Sequence, residues 1–126
     1  MPVDIGLNDN ARSTSADALR VLLAETYALY SKTHGYHWNV TGPRFNSLHT
    51  MFETQYNELW TALDEIAERI RALGHFAPAS AAEMVEPATI KPDNGIPDAD
   101  TMVENLVKGH EAISRAAKTG LKIAED

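Results

Sequence analysis

Hydrophobic positions along this chain recur with the period of an α-helix. In the first third of the chain they are Leu19, Leu22, Leu23, Tyr27 and Tyr30. Their three- and four-residue spacing predicts a first helix that is capped by Ser13 or Thr14 and ends near Asn39. After a short break, a second helix is predicted from about Pro43 to Gly74, where a glycine suits the left-handed C-terminal cap.

The last part of the chain contains a proline-rich segment and then another helical pattern. Residues 75–98 are rich in proline, which predicts a long connection rather than a continuous helix. Within this connection, residues 79–85 are predicted to form a short helical turn that begins at Ser80. A third long helix is predicted to start near Asp98 or Asp100, and its apolar positions include Val103 and Leu106. No segment has the alternation of a β-strand, so the predicted fold is all-α.

These helices predict an incomplete bundle. Three long amphipathic helices usually need a fourth to close a four-helix bundle, and none is predicted after the third. We therefore expect one ferritin-like helical domain over residues 13–126 that lacks its last long helix, preceded by a flexible arm at residues 1–12. We expect a separate C-terminal helical fragment to supply the missing helix, or else an altered assembly.

Composition excludes several classes of function. The chain has 126 residues and no cysteine, which excludes disulfides, zinc–thiolate sites and thiol catalysis. No apolar run is long enough for a membrane span, and the first residues lack the pattern of a signal peptide, so a cytoplasmic protein is expected. The net charge of −7 opposes binding to DNA and favours the attraction of cations.

Four side chains of types that commonly bind metals lie on one face of the second helix. The first pair is His49 and Glu53, and the second pair is Asp64 and Glu68. At about 100° per residue all four fall within one stripe, but about 16.5 Å of helix separates Glu53 from Asp64. One straight helix therefore cannot bring both pairs to one metal ion.

Two antiparallel copies of this helix can bring the pairs together. Both pairs are equally far from the middle of the helix, so a two-fold axis there places the first pair of one subunit against the second pair of its partner. His37, at the end of the first helix, lies across the turn from His49 and can join this group. The pattern predicts a metal site that is complete only in a dimer.

Imidazole and carboxylate ligands suit Fe(II), and they also accept Zn, Mn or Co. A di-iron site within one bundle needs Glu-x-x-His on two helices, and no glutamate here has a histidine three residues on. His110-Glu111 fails the zinc-protease pattern because position 114 is serine. The alternative for the stripe is a solvated helix face with weak ion pairs.

Three short motifs carry a resemblance to a known family. They are His37-Trp38-Asn39, His49-x-x-x-Glu53 and Asp64-x-x-x-Glu68. From about residue 14 to its end, the chain resembles the Dps family of ferritin-like mini-ferritins. The resemblance implies a homo-oligomer, a dodecamer built from two-fold dimers. It also implies a ferroxidase that oxidises Fe(II), preferably with hydrogen peroxide, and stores Fe(III) as protection against oxidative damage.

The resemblance also assigns individual residues. The ligands implied are His37, His49 and Glu53 from one subunit, and Asp64 and Glu68 from the other. Trp38 matches an aromatic residue beside the centre that intercepts stray oxidising equivalents. Glu53 departs from the family pattern, in which aspartate is common. The arm also departs from it, because Arg12 is its only basic residue, and DNA compaction is therefore not expected.

Two other functions remain as alternatives. The chain could be a non-catalytic nucleoid protein that coats DNA, or a helical assembly whose dimer holds a structural zinc. Among the neighbouring residues, His34 could face the site, but a surface position is the simpler expectation. We interpret Trp60 as interface packing and the tyrosines of the first helix as core residues rather than electron relays.

Overall fold

A computed structural model describes residues 8–125, with side chains to Ile123, and this part of the chain contains helices and no strand. The helices are α1 (Asp9–Asn39), α2 (Phe45–Ala72), α3 (Ala81–Val85) and α4 (Ala99–Glu125). The all-α prediction is confirmed, including the short helix in the middle connection. Of the helices α1–α4, none has both the length and the apolar character needed to cross a membrane.

The first helix begins earlier than predicted. The Asn8 side chain caps α1 by accepting a hydrogen bond from the backbone N–H of Ala11 at 2.7 Å, and asparagine is among the best N-cap residues. The predicted cap at Ser13 or Thr14 is therefore wrong. Residues 9–12, which were predicted to belong to the arm, are helical, and residues 1–7 lie outside the described residues.

The other helix ends agree closely with the prediction. α2 begins just after Pro43 and is followed by Gly74, whose φ of 88° is the left-handed conformation expected of a C-terminal cap. Ser80 and Asp98 cap α3 and α4, because their side-chain oxygens accept backbone N–H groups at 3.2 and 2.8 Å.

The expectation that the last helix is missing is not borne out. The described residues form four helices, and the fourth is α4 at Ala99–Glu125. Three of the four are long, and the short α3 counts as the third helix in chain order. The segment predicted as a third long helix is therefore the fourth helix of the structure. The separate C-terminal fragment was predicted only to replace that helix, so the reason for expecting it is removed.

Helix α1 is the centre of the fold, because α2, α3 and α4 all pack against it. Its Leu23 and Leu29 are fully buried, as are Phe52 of α2 and Met102 of α4. Burying a side chain of this size contributes about 1.5–3 kcal/mol. This core fixes the α1–α2 hairpin, which carries every predicted site residue.

Helices α2 and α4 are separated by an open groove. Its volume is about 610 Å³, and its lining includes Met51 and Gln55 of α2 and Val107 of α4. The Gln55 side-chain oxygen is buried there without a hydrogen-bond partner among the described residues. The core is thus continuous along α1 but open on the side where α2 and α4 face each other.

A network of polar side chains attaches the 86–98 connection to the bundle. Tyr36 donates a hydrogen bond to Asp93 at 2.5 Å, and the Asn105 amide donates to both side chains. Lys32 Nζ lies 3.2 Å from the same Asp93 carboxylate. Burial and the bond to Asp93 raise the pKa of Tyr36 far above its ordinary value. The phenol therefore stays protonated and continues to donate.

Candidate metal centre

The turn between α1 and α2 brings His37 and His49 into contact. Their ring centroids are 3.8 Å apart and the rings are nearly parallel, at 14°. His37 Nδ1 donates to the backbone carbonyl of His49, and His49 Nδ1 donates to the carbonyl of His37, both at 2.7 Å. Because a carbonyl oxygen only accepts, each Nδ1 must carry the hydrogen. Both rings, when neutral, are thus held in the tautomer whose Nε2 lone pair is free for a metal ion.

Glu53 adds a carboxylate to this pair of histidines. It lies one helical turn after His49, and its Oε1 is 3.9 Å from His37 Nε2. The Glu53 side chain is 55% exposed, whereas that of His37 is only 9% exposed. A carboxylate thus stands at the solvent side of a buried imidazole. We refer to His37, His49 and Glu53 together as the half-site.

The second pair of predicted ligands lies elsewhere on α2. Asp64 and Glu68 are exposed, and Asp64 is about 16.5 Å further along the helix than Glu53. In the described part of one chain, no three His, Asp or Glu side chains form a group that could hold a metal ion by itself. The structure therefore brings together the half-site but not all five residues, and the intersubunit centre stays a prediction.

Aromatic rings surround the half-site. Tyr56 of α2 stands edge-on to His37, with ring centroids 5.2 Å apart. Tyr56 also contacts His34. Their rings are stacked, with centroids 3.8 Å apart and an interplanar angle of 12°. Trp38 lies 4.0 Å from His34 and is 65% exposed. The His34 ring thus contacts both Trp38 and Tyr56, and Tyr56 in turn contacts His37 of the half-site.

His34 is the neighbouring residue that the sequence analysis misplaced. Its ring is half-buried rather than on the open surface, and its Nδ1 lies 2.9 Å from Tyr30 Oη. Burial, followed by the nearby charge of His37, lowers the pKa of His34. The available signal was spacing, because Tyr30, His34 and Trp38 follow one another at four-residue intervals on one face of α1.

Comparison with known proteins places this chain in a family. Residues 16–126 match the model of the ferritin-like domain. The DNA protection during starvation protein 2 of Bacillus anthracis is 37% identical over 110 residues, which cover 87% of this chain and 75% of that protein. This chain belongs to the Dps family of ferritin-like proteins. Its family membership confirms the resemblance carried by the three motifs.

Another relative of this Dps-family chain is an uncharacterized low-temperature-induced protein of Nostoc. The two are 42% identical over 114 residues, which cover 90% of this chain. The chain spans 64% of the length of that relative. The same stretch of sequence therefore occurs in longer proteins.

Solved Dps structures have the same fold. The structure of Dps from Vibrio cholerae O1, described as a member of a superfamily of ferritin-like diiron-carboxylate proteins, superposes with a TM-score of 0.92 at 32% identity. The match covers 99% of this chain and 79% of that one. Dps from Bacillus brevis gives a TM-score of 0.88 at 32% identity, with 94% and 80% covered. The ferritin-like fold predicted from the sequence is thus confirmed.

Proposed function

We propose that this chain is the subunit of an iron-sequestering mini-ferritin that oxidises Fe(II), preferably with hydrogen peroxide, and stores Fe(III). The observation that carries the proposal is the reciprocal hydrogen bonding of His37 and His49. These bonds orient two imidazoles before any metal binds, so little ordering is needed on binding. The Glu53 carboxylate, 3.9 Å from His37 Nε2, supplies a third donor beside the imidazole nitrogen that is free for a metal ion.

In this proposal Fe(II) is the substrate, and the dimer completes its binding site. The half-site of one subunit supplies two imidazoles and the Glu53 carboxylate. The partner subunit's Asp64 and Glu68 supply the remaining carboxylates across a two-fold axis at the middle of α2. Carboxylates also suit the product, since the harder Fe(III) ion prefers oxygen ligands. Zn, Mn and Co fit the same donors and should compete with Fe(II).

The overall reaction removes both reagents of hydroxyl-radical production. Two Fe(II) ions each give one electron to hydrogen peroxide, which takes up two protons and leaves as two water molecules. The net charge of −7 attracts the cation substrate when many subunits enclose one cavity, as a dodecamer would. The same charge opposes coating of DNA, so we propose that any protection of DNA comes from this chemistry.

The proposal is tested by mixing two inactive variants. We expect His49→Ala and Asp64→Ala each to slow peroxide-driven Fe(II) oxidation sharply, because each damages every centre of its own oligomer. A mixed dimer has one centre with both changes and one with neither. After denaturation and random reassembly, about a quarter of the centres should therefore be intact. Stopped-flow absorbance of Fe(III) formation measures the recovered rate.

The matched control mixes His49→Ala with Glu53→Ala, whose changes lie on the same side of the centre. That mixture should recover no activity, because every centre of a mixed dimer then carries one of the two changes. Equal recovery in both mixtures, or normal rates in the single variants, would contradict the site assignment. Unmixed variants must remain oligomers by native mass spectrometry for the comparison to hold.

A further inference from the structure

Beside the half-site, a tyrosine and a histidine form a hydrogen-bonded pair that the ferroxidase proposal does not use. Tyr30 Oη lies 2.9 Å from His34 Nδ1, one helical turn along α1. The phenol hydroxyl thus faces an imidazole nitrogen at hydrogen-bond distance. In this pairing we assign Oη–H as the donor and Nδ1 as the acceptor.

A continuous series of rings joins this pair to the half-site. Tyr56 is 5.2 Å from His37, 3.8 Å from His34 and 6.3 Å from Tyr30, all measured between ring centroids. The Tyr30 ring also lies 5.2 Å from the Trp60 ring, again measured between centroids. At these distances an electron can pass directly from one ring to the next. An electron can therefore reach the half-site from Tyr30 through Tyr56 alone.

From the sequence alone we interpreted the tyrosines of the first helix as core residues, but Tyr30 is only half-buried and contacts His34. We propose that Tyr30 and His34 are a redox-active pair that supplies one electron to an oxidant formed at the half-site. As the electron leaves, the phenolic proton moves to His34 Nδ1. The Oη–H bond breaks and an Nδ1–H bond forms, so the products are a neutral phenoxyl radical and an imidazolium ion. The biological role of the pair rests on the proposed ferroxidase function, but its redox chemistry can be measured without iron.

The pair matters when a centre holds a single Fe(II). Hydrogen peroxide then takes one electron from that ion and yields hydroxide and an oxidant of the hydroxyl-radical class. The electron from Tyr30 converts this oxidant to a second hydroxide. When another Fe(II) arrives, it gives an electron to the phenoxyl radical and becomes Fe(III), and His34 returns the proton. Peroxide is thereby reduced by two electrons without release of a radical.

The first experiment uses the 126-residue chain without iron. A photo-oxidised ruthenium tris(bipyridine) complex removes one electron, and electron paramagnetic resonance of frozen samples locates the radical. We expect a tyrosyl signal in the unaltered protein that is lost in Tyr30→Phe. His34→Phe keeps the aromatic stack but removes the proton acceptor, and it should also lose the signal at neutral pH. Circular dichroism checks that both variants are folded.

Tyr27→Phe is the matched control. Tyr27 lies on the same helix and is half-buried, and its ring centroid is 6.2 Å from that of Tyr30. In the described part of the chain, the Tyr27 hydroxyl has no imidazole partner. This variant should keep the signal. A tyrosyl signal that persists in Tyr30→Phe, or one that Tyr27→Phe removes instead, overturns the proposal.

The second experiment adds one Fe(II) per subunit and then hydrogen peroxide. The same Tyr30-dependent signal should appear and then decay when more Fe(II) is added. Normal iron oxidation with no Tyr30 signal in either experiment would overturn the redox pair and leave the ferroxidase proposal standing. A Tyr30 signal without iron, in a protein that does not oxidise Fe(II), would support the pair and contradict the proposed function.

Discussion

At the scale of single residues, the buried carboxylate of Glu25 shows how a charge can be stabilised inside this bundle. Glu25 is 3% exposed. It accepts hydrogen bonds from the backbone N–H groups of Thr89 and Ile90, at 2.6 and 3.2 Å, and from the Thr89 hydroxyl. Charged acceptors make stronger hydrogen bonds than neutral ones. One α1 side chain thus holds the connection that leads from α3 to α4.

We predict that Glu25→Ala lowers the free energy of unfolding by about 1–3 kcal/mol, because two backbone N–H groups lose their acceptor. Urea denaturation followed by circular dichroism measures the change. The control is Glu104→Ala, since Glu104 is exposed and, among the described residues, pairs only with Lys108 one turn on, at 3.4 Å. That substitution should cost no more than about 0.5 kcal/mol. Equal losses for the two variants would contradict the role of Glu25.

At the scale of helices, Gly109 sets how closely α4 approaches α1. A Cβ at this position would lie 2.5 Å from Leu29 Cδ1, and Leu29 is completely buried. Replacing glycine with alanine normally favours a helix by about 1 kcal/mol. Here the added methyl group would push against a packed side chain. The two effects therefore oppose each other at this crossing.

We predict that Gly109→Ala destabilises the protein by about 1–3 kcal/mol, because overpacking outweighs helix propensity. Gly35→Ala is the matched control, since a Cβ built there has no atom of the described residues within 4 Å apart from the adjoining backbone and chain neighbours. That change on α1 should stabilise the protein by about 0.5–1 kcal/mol. Thermal unfolding measures the stability of both variants relative to the unaltered protein. A stabilising Gly109→Ala would show that the helices can separate without cost.

The stabilisation that Asp98 gives to the start of α4 depends on pH. Hydrogen bonds from Thr101 lower the pKa of Asp98 below its ordinary value of 3.8. Because the folded-state pKa is the lower one, the stabilisation is present above 3.8 and is lost as the pH falls through the folded-state pKa. Asp98→Ala should therefore be less stable than the unaltered protein near neutral pH, and this difference should shrink in acid.

Asp98→Asn is the control for this effect, because asparagine caps a helix about as well but does not titrate. Its stability should follow that of the unaltered protein near neutral pH and fall less steeply in acid. Melting temperatures across the acid range measure both variants. A constant difference between Asp98→Ala and the unaltered protein at all pH values would contradict the assignment.

At the scale of the whole molecule, large aromatic side chains on α1 and α2 are exposed. Trp60, near the middle of α2, is 60% exposed, and Trp38 is 65% exposed. Exposed aromatic residues grouped in this way are typical of protein interfaces. The predicted two-fold axis crosses α2 beside Trp60. We therefore expect this face to be covered in the oligomer.

We predict that Trp60→Glu disrupts the assembly, because it would bury two uncompensated carboxylates close to the two-fold axis. Analytical ultracentrifugation should show smaller species at every protein concentration. Ile96→Glu is the control, since Ile96 is 67% exposed but lies in the connection before α4. It should leave the oligomer unchanged. Intact oligomers of Trp60→Glu would mean that the two-fold axis lies elsewhere.

The helices and the stripe of predicted ligands follow from the amino-acid sequence alone. Helical periodicity depends on neighbours within a turn or two, so it locates most of α1, α2 and α4. For the same reason, the spacing of His49, Glu53, Asp64 and Glu68 places them on one face of one helix. The family motifs needed only short runs of residues. All of these features are local in the chain.

Contacts between residues that are distant in the chain depend on how the helices pack. Arg12 was predicted to lie in an arm, but it is buried in α1 and donates to the carbonyl of Leu73, 3.4 Å away at the far end of α2. The exchange of hydrogen bonds between His37 and His49 depends on the angle of the α1–α2 turn, and the position of His34 depends on Tyr56 packing from the other helix. No local pattern encodes these contacts, because each joins side chains brought together by packing.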